Sequence, residues 1–352
     1  MRAWEKNFRK VEPYTPGEQP EFADMIKLNT NECPYPPTPR LLREIRALGE
    51  KMDNVRLYPN YKSESLVNAL AKYYEVGADQ VFVGVGSDDV LSVAFLTFFN
   101  SKEPILFPDI TYSFYDVWAE LYRIPYERPA LDENFRIRKE DYYRKNGGIV
   151  IANPNAPTSI AEGLEFIEDI LMHNRESVVI VDEAYVDFGG QSALPLIEKY
   201  ENLLVVQTFS KSRAMAGMRV GYAIGHPTLI KAMNDVKYSM NSYTMNYPAL
   251  MCGVCAVEDQ NYFKQCCNKI IATREWTKKK LAELGFTSLD SSANFLFSTH
   301  KSVPAKQIFE ELRKYNIFVR YFEKPRIDNY LRITIGTQRQ METFVDILKK
   351  IL

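Results

Sequence analysis

Residues 203–225 read LLVVQTFSKSRAMAGMRVGYAIG, which is two strand-like runs joined by a polar turn. The runs are LLVVQTF (203–209) and VGYAIG (220–225), and both are rich in apolar and aromatic residues. The first begins as a continuous apolar run rather than an alternating one, which is typical of a strand that helices cover on both faces. We therefore predict two buried strands here, with the polar turn at the edge of a sheet.

Four earlier runs have the same character. They are VFVGVG (81–86), PILFPD (104–109), GIVIAN (148–153) and VVIVDE (178–183). Longer helical patterns separate them, and this alternation predicts an α/β fold with an open, mainly parallel sheet. Ligand groups in such folds lie at the carboxyl ends of the strands, so the polar residues that follow each run are the candidates for a site.

The pattern changes after residue 225 to long helical segments and then to further strand-like runs. These runs are NFLFST (294–299), IFVRYF (317–322) and LRITIG (331–336). We predict an N-terminal arm (1–30), a large domain (31–240) and a smaller α+β C-terminal domain (241–352). The arm contains Pro13, Pro16, Gly17 and Pro20, which favour an extended segment that must dock on other structure to be ordered.

Composition narrows the class of protein. At 352 residues the chain exceeds the size that one hydrophobic core usually serves. The formal net charge of -1, from 44 basic and 45 acidic residues, gives no electrostatic reason to expect nucleic acid or an anionic membrane as a partner. We expect small-molecule substrates.

No run approaches the roughly 18 apolar residues of a membrane span, and MRAWEKNFRK has no signal-peptide core, so we predict a cytoplasmic protein.

Five cysteines, an odd number, favour reduced thiols over a disulfide framework. Cys252, Cys255, Cys266 and Cys267 resemble half of a zinc-site spacing. However, the first pair lies in the apolar run YPALMCGVCAV, where a three-residue spacing marks one helix face, and adjacent cysteines make poor chelate geometry. We therefore predict no metal site.

The polar residues after two strands suggest a cofactor. Asp182 ends the run VVIVDE, and a buried carboxylate needs a cation beside it, such as a pyridinium nitrogen, unless it serves as a cap or in an ordinary ion pair. Lys211 follows the next run, with Ser210 before it and Arg219 eight positions later. This arrangement suits a phosphate-bearing aldehyde: Lys211 would form an imine, and Ser210 and Arg219 would hold the phosphate.

The segment VFVGVGSDDVL (81–91) is a strand, a glycine turn and the start of an apolar helix. Free backbone amides at a helix start bind phosphate, assisted by the helix dipole. Ser87 and Asp88 are therefore candidates for a phosphate site, although either residue could instead only cap the helix.

Together these motifs resemble the histidinol-phosphate aminotransferases, a family of fold-type I pyridoxal-phosphate enzymes. The resemblance runs from about Tyr14 to Thr337, and its order and spacing are specific. The matching segments are EPYTPG (12–17), IKLNTNECPYPP (26–37), RLYPNY (56–61), GVGSDD (84–89), FPDITYSFY (107–115), ANPNAPT (152–158), VDEAYVDF (181–188), TFSKSRAMAGMRVGY (208–222), FVRYF (318–322) and LRITIGT (331–337). The resemblance implies a large domain with a mainly parallel sheet flanked by helices and a smaller α+β C-terminal domain.

The resemblance also implies roles in catalysis and in cofactor binding. Lys211 would be the Schiff-base lysine and proton shuttle, Asp182 would pair with the pyridine nitrogen, and Tyr185 would bind the ring hydroxyl. Tyr112 would stack on the ring, although it could also be an ordinary core aromatic. The cofactor-binding residues implied in full are Gly86, Ser87, Asp88, Tyr112, Asn155, Asp182, Tyr185, Thr208, Ser210, Lys211, Arg219 and, reaching from a neighbouring subunit of a homodimer, Tyr58.

For the substrate, the resemblance implies that Arg332 binds the phosphate of histidinol phosphate or the carboxylate of glutamate, assisted by Arg320. Either arginine could instead lie on the surface of a strand. Tyr14 and Asn31, from the arm, are implied contributors to the same pocket.

The sequence departs from the family at two motifs. The family stretch Asn-Pro-Asn-Asn-Pro-Thr-Gly has Ala156 in place of the asparagine that binds the ring hydroxyl, and Ser159 in place of the glycine. Neighbouring Asn155 could substitute, helped by Tyr185. Cys33 replaces the commoner asparagine of the arm motif.

The function implied is amino-group exchange between L-histidinol phosphate and 2-oxoglutarate, within histidine biosynthesis. The same scaffold serves aromatic aminotransferases and a threonine-phosphate decarboxylase, which remain alternatives. A non-catalytic binding module is a third alternative, but it predicts loss of the lysine, and Lys211 is present.

Overall fold

Two β-sheets flanked by helices make up the computed structural model, in which residues 2–14, 18–19, 24–50 and 52–352 are described. The strands are β1 (Ile26–Leu28), β2 (Val81–Gly84), β3 (Ile105–Leu106), β4 (Tyr126–Glu127), β5 (Gly148–Ala152), β6 (Val179–Asp182), β7 (Leu203–Thr208), β8 (Gly221–Gly225), β9 (Phe286–Ser288), β10 (Phe295–His300), β11 (Ile317–Tyr321) and β12 (Leu331–Thr334). The helices are α1 (Pro39–Gly49), α2 (Glu64–Tyr74), α3 (Ser87–Phe98), α4 (Phe114–Tyr122), α5 (Leu164–His173), α6 (Pro227–Met240), α7 (Tyr247–Glu258), α8 (Gln260–Glu283), α9 (Ala305–Lys314) and α10 (Gln338–Ile351).

The large sheet has seven strands in the order β2-β8-β7-β6-β5-β3-β4. Strands β7, β6, β5, β3 and β4 pair in parallel, whereas β8 pairs antiparallel with both of its neighbours, β2 and β7. The predicted α/β class with a mainly parallel sheet is therefore confirmed.

The continuous apolar runs of this sheet follow from its two covered faces. Successive side chains of a strand point to opposite faces. In β5, Ile149 and Ile151 pack into one buried cluster, whereas Val150 packs into the cluster on the other face. In β6, Val181 belongs to the first cluster and Ile180 to the second. Neither face meets water, so neither tolerates the polar residues that an alternating strand would carry.

Several helices, including α7 and α10, begin at residues whose side chains accept backbone hydrogen bonds. Asn246 accepts from the amide of Ala249 at 2.8 Å at the start of α7. Thr337 accepts from Gln340 at 3.3 Å at the start of α10, and the Gln340 side chain accepts from the Thr337 amide in return. Such caps satisfy amides that the first turn leaves unpaired.

The small sheet has five strands in the order β1-β11-β12-β10-β9. Strand β1 pairs in parallel with β11, and the other neighbours are antiparallel. Its buried cluster includes Leu296, Ile333 and Phe344, which come from β10, β12 and α10. The smaller α+β unit is thus present, and β1, which lies inside the predicted arm, supplies its edge strand.

The predicted boundaries at residues 30 and 240 stay predictions. Helix α7 lies beyond residue 240 in sequence, yet Leu250, Cys252 and Cys255 pack into the buried cluster of the large sheet. Cys252 and Cys255 are free thiols on this buried side of α7. The prolines at 16 and 20 and the end of the motif EPYTPG (12–17) lie outside the described residues.

Three strands were not predicted from the sequence, namely β1, β4 and β9. Each has only two or three residues, which is too short for an apolar pattern to be distinguished from a loop. Within the described residues, no helix is both long enough and apolar enough to cross a bilayer.

Candidate active site

The candidate site lies at the carboxyl ends of the central strands of the large sheet. Asp182 is the last residue of β6 and Thr208 is the last residue of β7, and these two strands are neighbours. Lys211 follows Thr208 by three residues. Gly86 and the start of α3 follow β2, on the far side of β8. Parallel strands therefore bring residues that are distant in sequence to one edge.

Asp182 is 5% exposed, and two protein donors hold its carboxylate. The hydroxyl of Tyr115 donates to Oδ2 at 2.7 Å, and the amide of Ala184 donates to Oδ1 at 3.2 Å. Burial raises the pKa of Asp182 to about 6, while these donors and Lys211 act in the opposite direction. A cation beside this carboxylate would offset the free-energy cost of burying its charge. A protonated pyridine nitrogen is such a cation.

Tyr185 lies one turn beyond Asp182 and faces the small domain. Its hydroxyl accepts a hydrogen bond from Nδ2 of Asn31 at 2.9 Å. Its ring meets Phe295 edge-on, with centroids 5.1 Å apart. The ammonium of Lys211 lies 5.8 Å from the centroid of the same ring. The two sheets therefore meet at Tyr185.

Lys211 is half-buried between the two units, and its Nζ donates to the carbonyl of Thr30 at 3.2 Å. Thr30 follows β1, so the candidate lysine reaches from the large sheet to the segment that joins the small one. Within the described residues, Nζ has no carboxylate partner among the ion pairs. Its amine is therefore not held in an ion pair within the described residues, as an imine-forming lysine requires.

The turn before α3 has the geometry of a phosphate cradle. Gly86 adopts φ +91, a conformation that residues with a side chain rarely adopt. A Cβ at this position would lie 2.4 Å from Nη2 of Arg219, so a residue with a side chain would displace the guanidinium from this turn. Ser87 and Asp88 form the first turn of α3, where the helix leaves its amides unpaired and its dipole favours an anion.

Three further side chains converge on this turn. Ser210 Oγ accepts from Nη1 of Arg219 at 3.4 Å and from Oγ1 of Thr208 at 3.1 Å. Nη2 of Arg219 lies 3.6 Å from Oδ2 of Asp88. The structure thus brings together Gly86, Asp88, Thr208, Ser210 and Arg219, all of which were predicted from the sequence.

Tyr112 lies beside the same turn, where its hydroxyl donates to Oδ1 of Asp88 at 2.9 Å. Its ring contacts Phe114 and Tyr115, with centroids 5.6 Å away in each case. Tyr112 is therefore part of an aromatic group at the site and is also positioned to stack on a planar ligand.

The Asn155 side chain is committed to Thr158 in its own loop and to residues 110–111, which follow β3. Its Nδ2 donates to the carbonyl of Ile110 at 2.9 Å and to Thr158 Oγ1 at 3.0 Å, and its Oδ1 accepts from Thr111 at 2.7 Å. Both amide hydrogens are used, so the side chain has no donor left for a ring hydroxyl. Ala156 is buried beside Tyr185 and offers only a methyl group.

Arg320 and Arg332 lie directly opposite each other on β11 and β12. Nη2 of Arg332 donates to the carbonyl of Asn29 at 2.8 Å, while its buried Nε has no partner within the described residues. Burial lowers the pKa of Arg332, and Arg320 lowers it further, while nearby Tyr185 opposes this shift. Two like charges opposite each other are unfavourable, so this pair favours a bound anion.

Tyr14 and Tyr58 occupy different surroundings. The Tyr14 ring stacks on Phe114 with centroids 4.3 Å apart, and it lies close enough to Tyr112 and Arg332 to interact with both electrostatically. Tyr58 is 81% exposed and stacks on Tyr243 at 4.5 Å. The structure brings Tyr14 to the site and leaves Tyr58 on the surface of the single chain.

Two contributors were not predicted from the sequence. Tyr115 is fully buried and is the side-chain partner of Asp182. Its position three residues after Tyr112, near the start of a helix, was the available signal, because residues three apart lie on one face. Thr334 hydrogen-bonds Asn31 from β12, and no local sequence pattern indicated that contact.

Comparison with known proteins identifies the family. A family model described as aminotransferase class I and II matches residues 23–348, which is most of the chain. The chain belongs to this family. The histidinol-phosphate aminotransferase of Lactococcus lactis subsp. cremoris is 50% identical over 350 residues, covering 99% of this chain and 98% of that protein.

Solved structures of the family share the fold. The histidinol-phosphate aminotransferase of Clostridium acetobutylicum aligns with a TM-score of 0.85 and 23% identity, covering 93% of this chain and 99% of that one. That of Sinorhizobium meliloti, solved in complex with pyridoxal-5'-phosphate, aligns with a TM-score of 0.84 and 21% identity, covering 93% and 92%. This aminotransferase therefore has the fold of a pyridoxal-phosphate enzyme.

Proposed function

We propose that this enzyme transfers the amino group of L-histidinol phosphate to 2-oxoglutarate, with pyridoxal 5'-phosphate as its cofactor, in histidine biosynthesis. The observation that carries the proposal is the full-length identity to the Lactococcus protein of that name. The paired arginines support it independently, because both the substrate phosphate and the carboxylates of 2-oxoglutarate are anions.

The residues at the strand ends fit the cofactor. We assign Lys211 as its covalent partner and Asp182 as the partner of its ring nitrogen. The phosphate would meet Ser210, Arg219 and the amides at the start of α3, where Gly86 leaves room. When bound, pyridoxal phosphate supplies a conjugated ring that accepts the electrons released as a Cα–H bond breaks.

Residues of the protein would carry out the proton transfer and orient the cofactor. Lys211 Nζ is the base that removes the proton from the substrate Cα, and it is held near the site by the carbonyl of Thr30. Asp182 would hold the ring nitrogen with a charged carboxylate, whose oxygens already accept from Tyr115 and from the Ala184 amide. The Tyr185 hydroxyl would donate to the ring oxygen of the bound cofactor.

Substrate recognition falls to the small sheet. Arg332 offers its unpartnered Nε, and Arg320 lies opposite it on the neighbouring strand. A phosphate or a carboxylate placed between them would neutralise both charges and satisfy the buried donor. One clamp for two anions explains how a single site would serve both the amino donor and the keto-acid acceptor.

The experiment that tests this function uses the purified protein with its cofactor and L-histidinol phosphate, without keto acid. We expect the visible absorption band of the lysine-bound cofactor to disappear and to return when 2-oxoglutarate is added. A band that persists would contradict the substrate assignment but not the assignment of the cofactor.

The same absorption measurement with other substrates, together with a test for CO₂ release, separates the alternative functions. An aromatic aminotransferase would lose the band with phenylalanine or tyrosine and keep it with histidinol phosphate. A threonine-phosphate decarboxylase would release CO₂ and need no 2-oxoglutarate. The name shared by the curated relatives favours histidinol phosphate over both.

We further propose that the active form is a homodimer in which Tyr58 completes the partner's phosphate site. An exposed apolar patch around Tyr58 supports a second copy as its occupant, because such patches mark interfaces. Its members are Val55, Leu57, Tyr58, Tyr61, Met240 and Tyr243, each 44% to 81% exposed.

Two further assignments stay predictions from the sequence. They are the cytoplasmic location and the division of the chain at residues 30 and 240. Limited proteolysis of the protein with bound cofactor would test the second, since cleavage near residue 240 into two stable fragments is expected from an independent C-terminal domain.

A further inference from the structure

Within the described residues, the Tyr185 hydroxyl has one side-chain hydrogen-bond partner, Asn31. Nδ2 of Asn31 lies 2.9 Å from Oη. The other groups packed around the Tyr185 ring on this side are Ala156, Ala293 and Phe295, none of which carries a polar side-chain atom. The direction of the Tyr185 O–H bond therefore depends on what Asn31 presents to it.

Thr334 determines which end of the Asn31 amide faces Tyr185. The backbone amide of Asn31 donates to Thr334 Oγ1 at 3.0 Å, which occupies one acceptor position of that hydroxyl. The hydroxyl hydrogen then goes to Oδ1 of Asn31 at 2.9 Å. Thr334 is buried, so an unused hydroxyl hydrogen would be costly. With Oδ1 bound to Thr334, Nδ2 is left to donate to Tyr185.

A phenol that accepts from an amide keeps its own hydrogen for another acceptor. Asn31 thus directs the Tyr185 O–H away from itself. Ala156, on the neighbouring loop, offers no second donor, and both amide hydrogens of Asn155 are already donated, one to the carbonyl of Ile110 and one to Thr158 Oγ1. Of Asn155, Ala156 and Tyr185, Tyr185 is therefore the one whose side chain still has a hydrogen to donate within the described residues.

We propose that Asn31 is a positioning residue that orients the Tyr185 hydroxyl toward the ring oxygen of the cofactor, through the relay Thr334 to Asn31 to Tyr185. The inference rests on the proposed cofactor site and assigns Asn31 a role separate from substrate binding. Asn31 has φ +56, a left-handed conformation that asparagine and glycine tolerate best, so the backbone also holds the amide in place.

The relay should be visible in the titration of the bound cofactor. A donor to the ring oxygen stabilises its negative charge, and so eases loss of the proton which that oxygen shares with the Lys211 nitrogen. Weakening the donor should move the midpoint of the visible band to higher pH. The other titratable groups facing Tyr185 are Lys211, Arg332, Tyr112 and Tyr115.

The test is a double-mutant cycle on the protein with bound cofactor, with Asn31→Gly and Tyr185→Phe made singly and together. Glycine keeps the left-handed backbone and leaves the four other titratable groups in place. We expect Asn31→Gly to raise the midpoint by about 0.5–1 pH unit, and to have no effect in the Tyr185→Phe background.

Thr334→Val tests the same relay without changing Asn31 or Tyr185. Valine has the same shape but cannot orient the amide, so we expect a shift in the same direction that also vanishes in the Tyr185→Phe background. An equal shift in both backgrounds, or none in either, would overturn the proposal. The titration needs no substrate, so these outcomes leave the proposed reaction untouched, whereas failure to bind pyridoxal phosphate would contradict the proposed function itself.

Discussion

The Tyr115 hydroxyl donates to Oδ2 of Asp182 at 2.7 Å, and both side chains lie in the interior between the large sheet and α4. Burial and the adjacent carboxylate raise the pKa of Tyr115 well above its ordinary value, so the hydroxyl keeps its proton and remains a donor at neutral pH. A bond of this kind fixes the carboxylate in place and lowers the cost of keeping it charged.

Replacement of Tyr115 by phenylalanine should therefore weaken cofactor binding. We expect the Kd for pyridoxal phosphate to rise about tenfold, in line with the loss of one hydrogen bond to a buried charge. Fluorescence titration of cofactor-free protein measures this. Tyr122→Phe, which removes a 2.6 Å bond to Ser92 from the same helix, is the matched control and should leave the Kd unchanged.

Asp182 should make the stability of cofactor-free protein depend on pH. Its pKa is raised to about 6 by burial, so the folded state holds this proton more tightly than the unfolded state. The protonated Asp182 therefore adds to the free energy of unfolding in acid. This addition is no more than about 3 kcal/mol, and it is lost as pH rises from about 4 to about 6.

Thermal unfolding of cofactor-free protein against pH measures this contribution. Glu183, also buried, has its pKa raised to about 7 and adds a slope of the same sign. Asp182→Asn should flatten the curve between pH 4 and 6 only. Identical curves for both proteins would show that Asp182 does not titrate as described.

Arg332→Ala should impair both half-reactions. It removes the proposed substrate clamp, including the Nε that has no partner within the described residues, so we expect KM for histidinol phosphate and for 2-oxoglutarate to rise about 10–100-fold. Arg320→Ala should have a smaller effect in the same direction. Arg313→Ala, on the exposed ion pair with Glu18, is the control. A change for one substrate alone would exclude a shared clamp.

Gly86→Ala should reduce cofactor affinity. The added Cβ would lie 2.4 Å from Nη2 of Arg219, and φ +91 strains any residue with a side chain. We expect at least a tenfold higher Kd for pyridoxal phosphate, measured as for Tyr115→Phe. Gly163→Ala has no atom within 4 Å of the new Cβ and should behave like the unchanged protein. Unaltered affinity would remove this turn from the phosphate site.

A shared site predicts complementation between subunits. Heterodimers of a Lys211→Ala chain and a Tyr58→Ala chain, isolated with two affinity tags, should regain about half of the normal activity, because one of their two sites is intact. The control is a heterodimer of one chain with both substitutions and one unchanged chain. Neither of its two sites would be intact, so it should be less active than the first heterodimer. If the two heterodimers are equally active, Tyr58 does not act across the interface.

Much of the architecture was predictable because the strands of the large sheet are covered on both faces. Runs such as GIVIAN and VVIVDE contain no polar residue before their ends, and β5 and β6 lie within those runs. Strand β1 was not predictable, since three residues carry no pattern and its partner, β11, begins about 290 residues later in the sequence.

The sequence by itself determined the kinds of residue at the candidate site, because Asp182 ends β6, Lys211 follows β7 and Arg219 precedes the antiparallel β8, which places all three at the ligand-binding edge of a sheet of this class. Tertiary structure alone decided their hydrogen-bond partners. Tyr115 reaches Asp182 from a helix, and Asn31 reaches Tyr185 only because β1 joins the small sheet. Such contacts depend on the direction and register of distant elements, which local propensity does not encode.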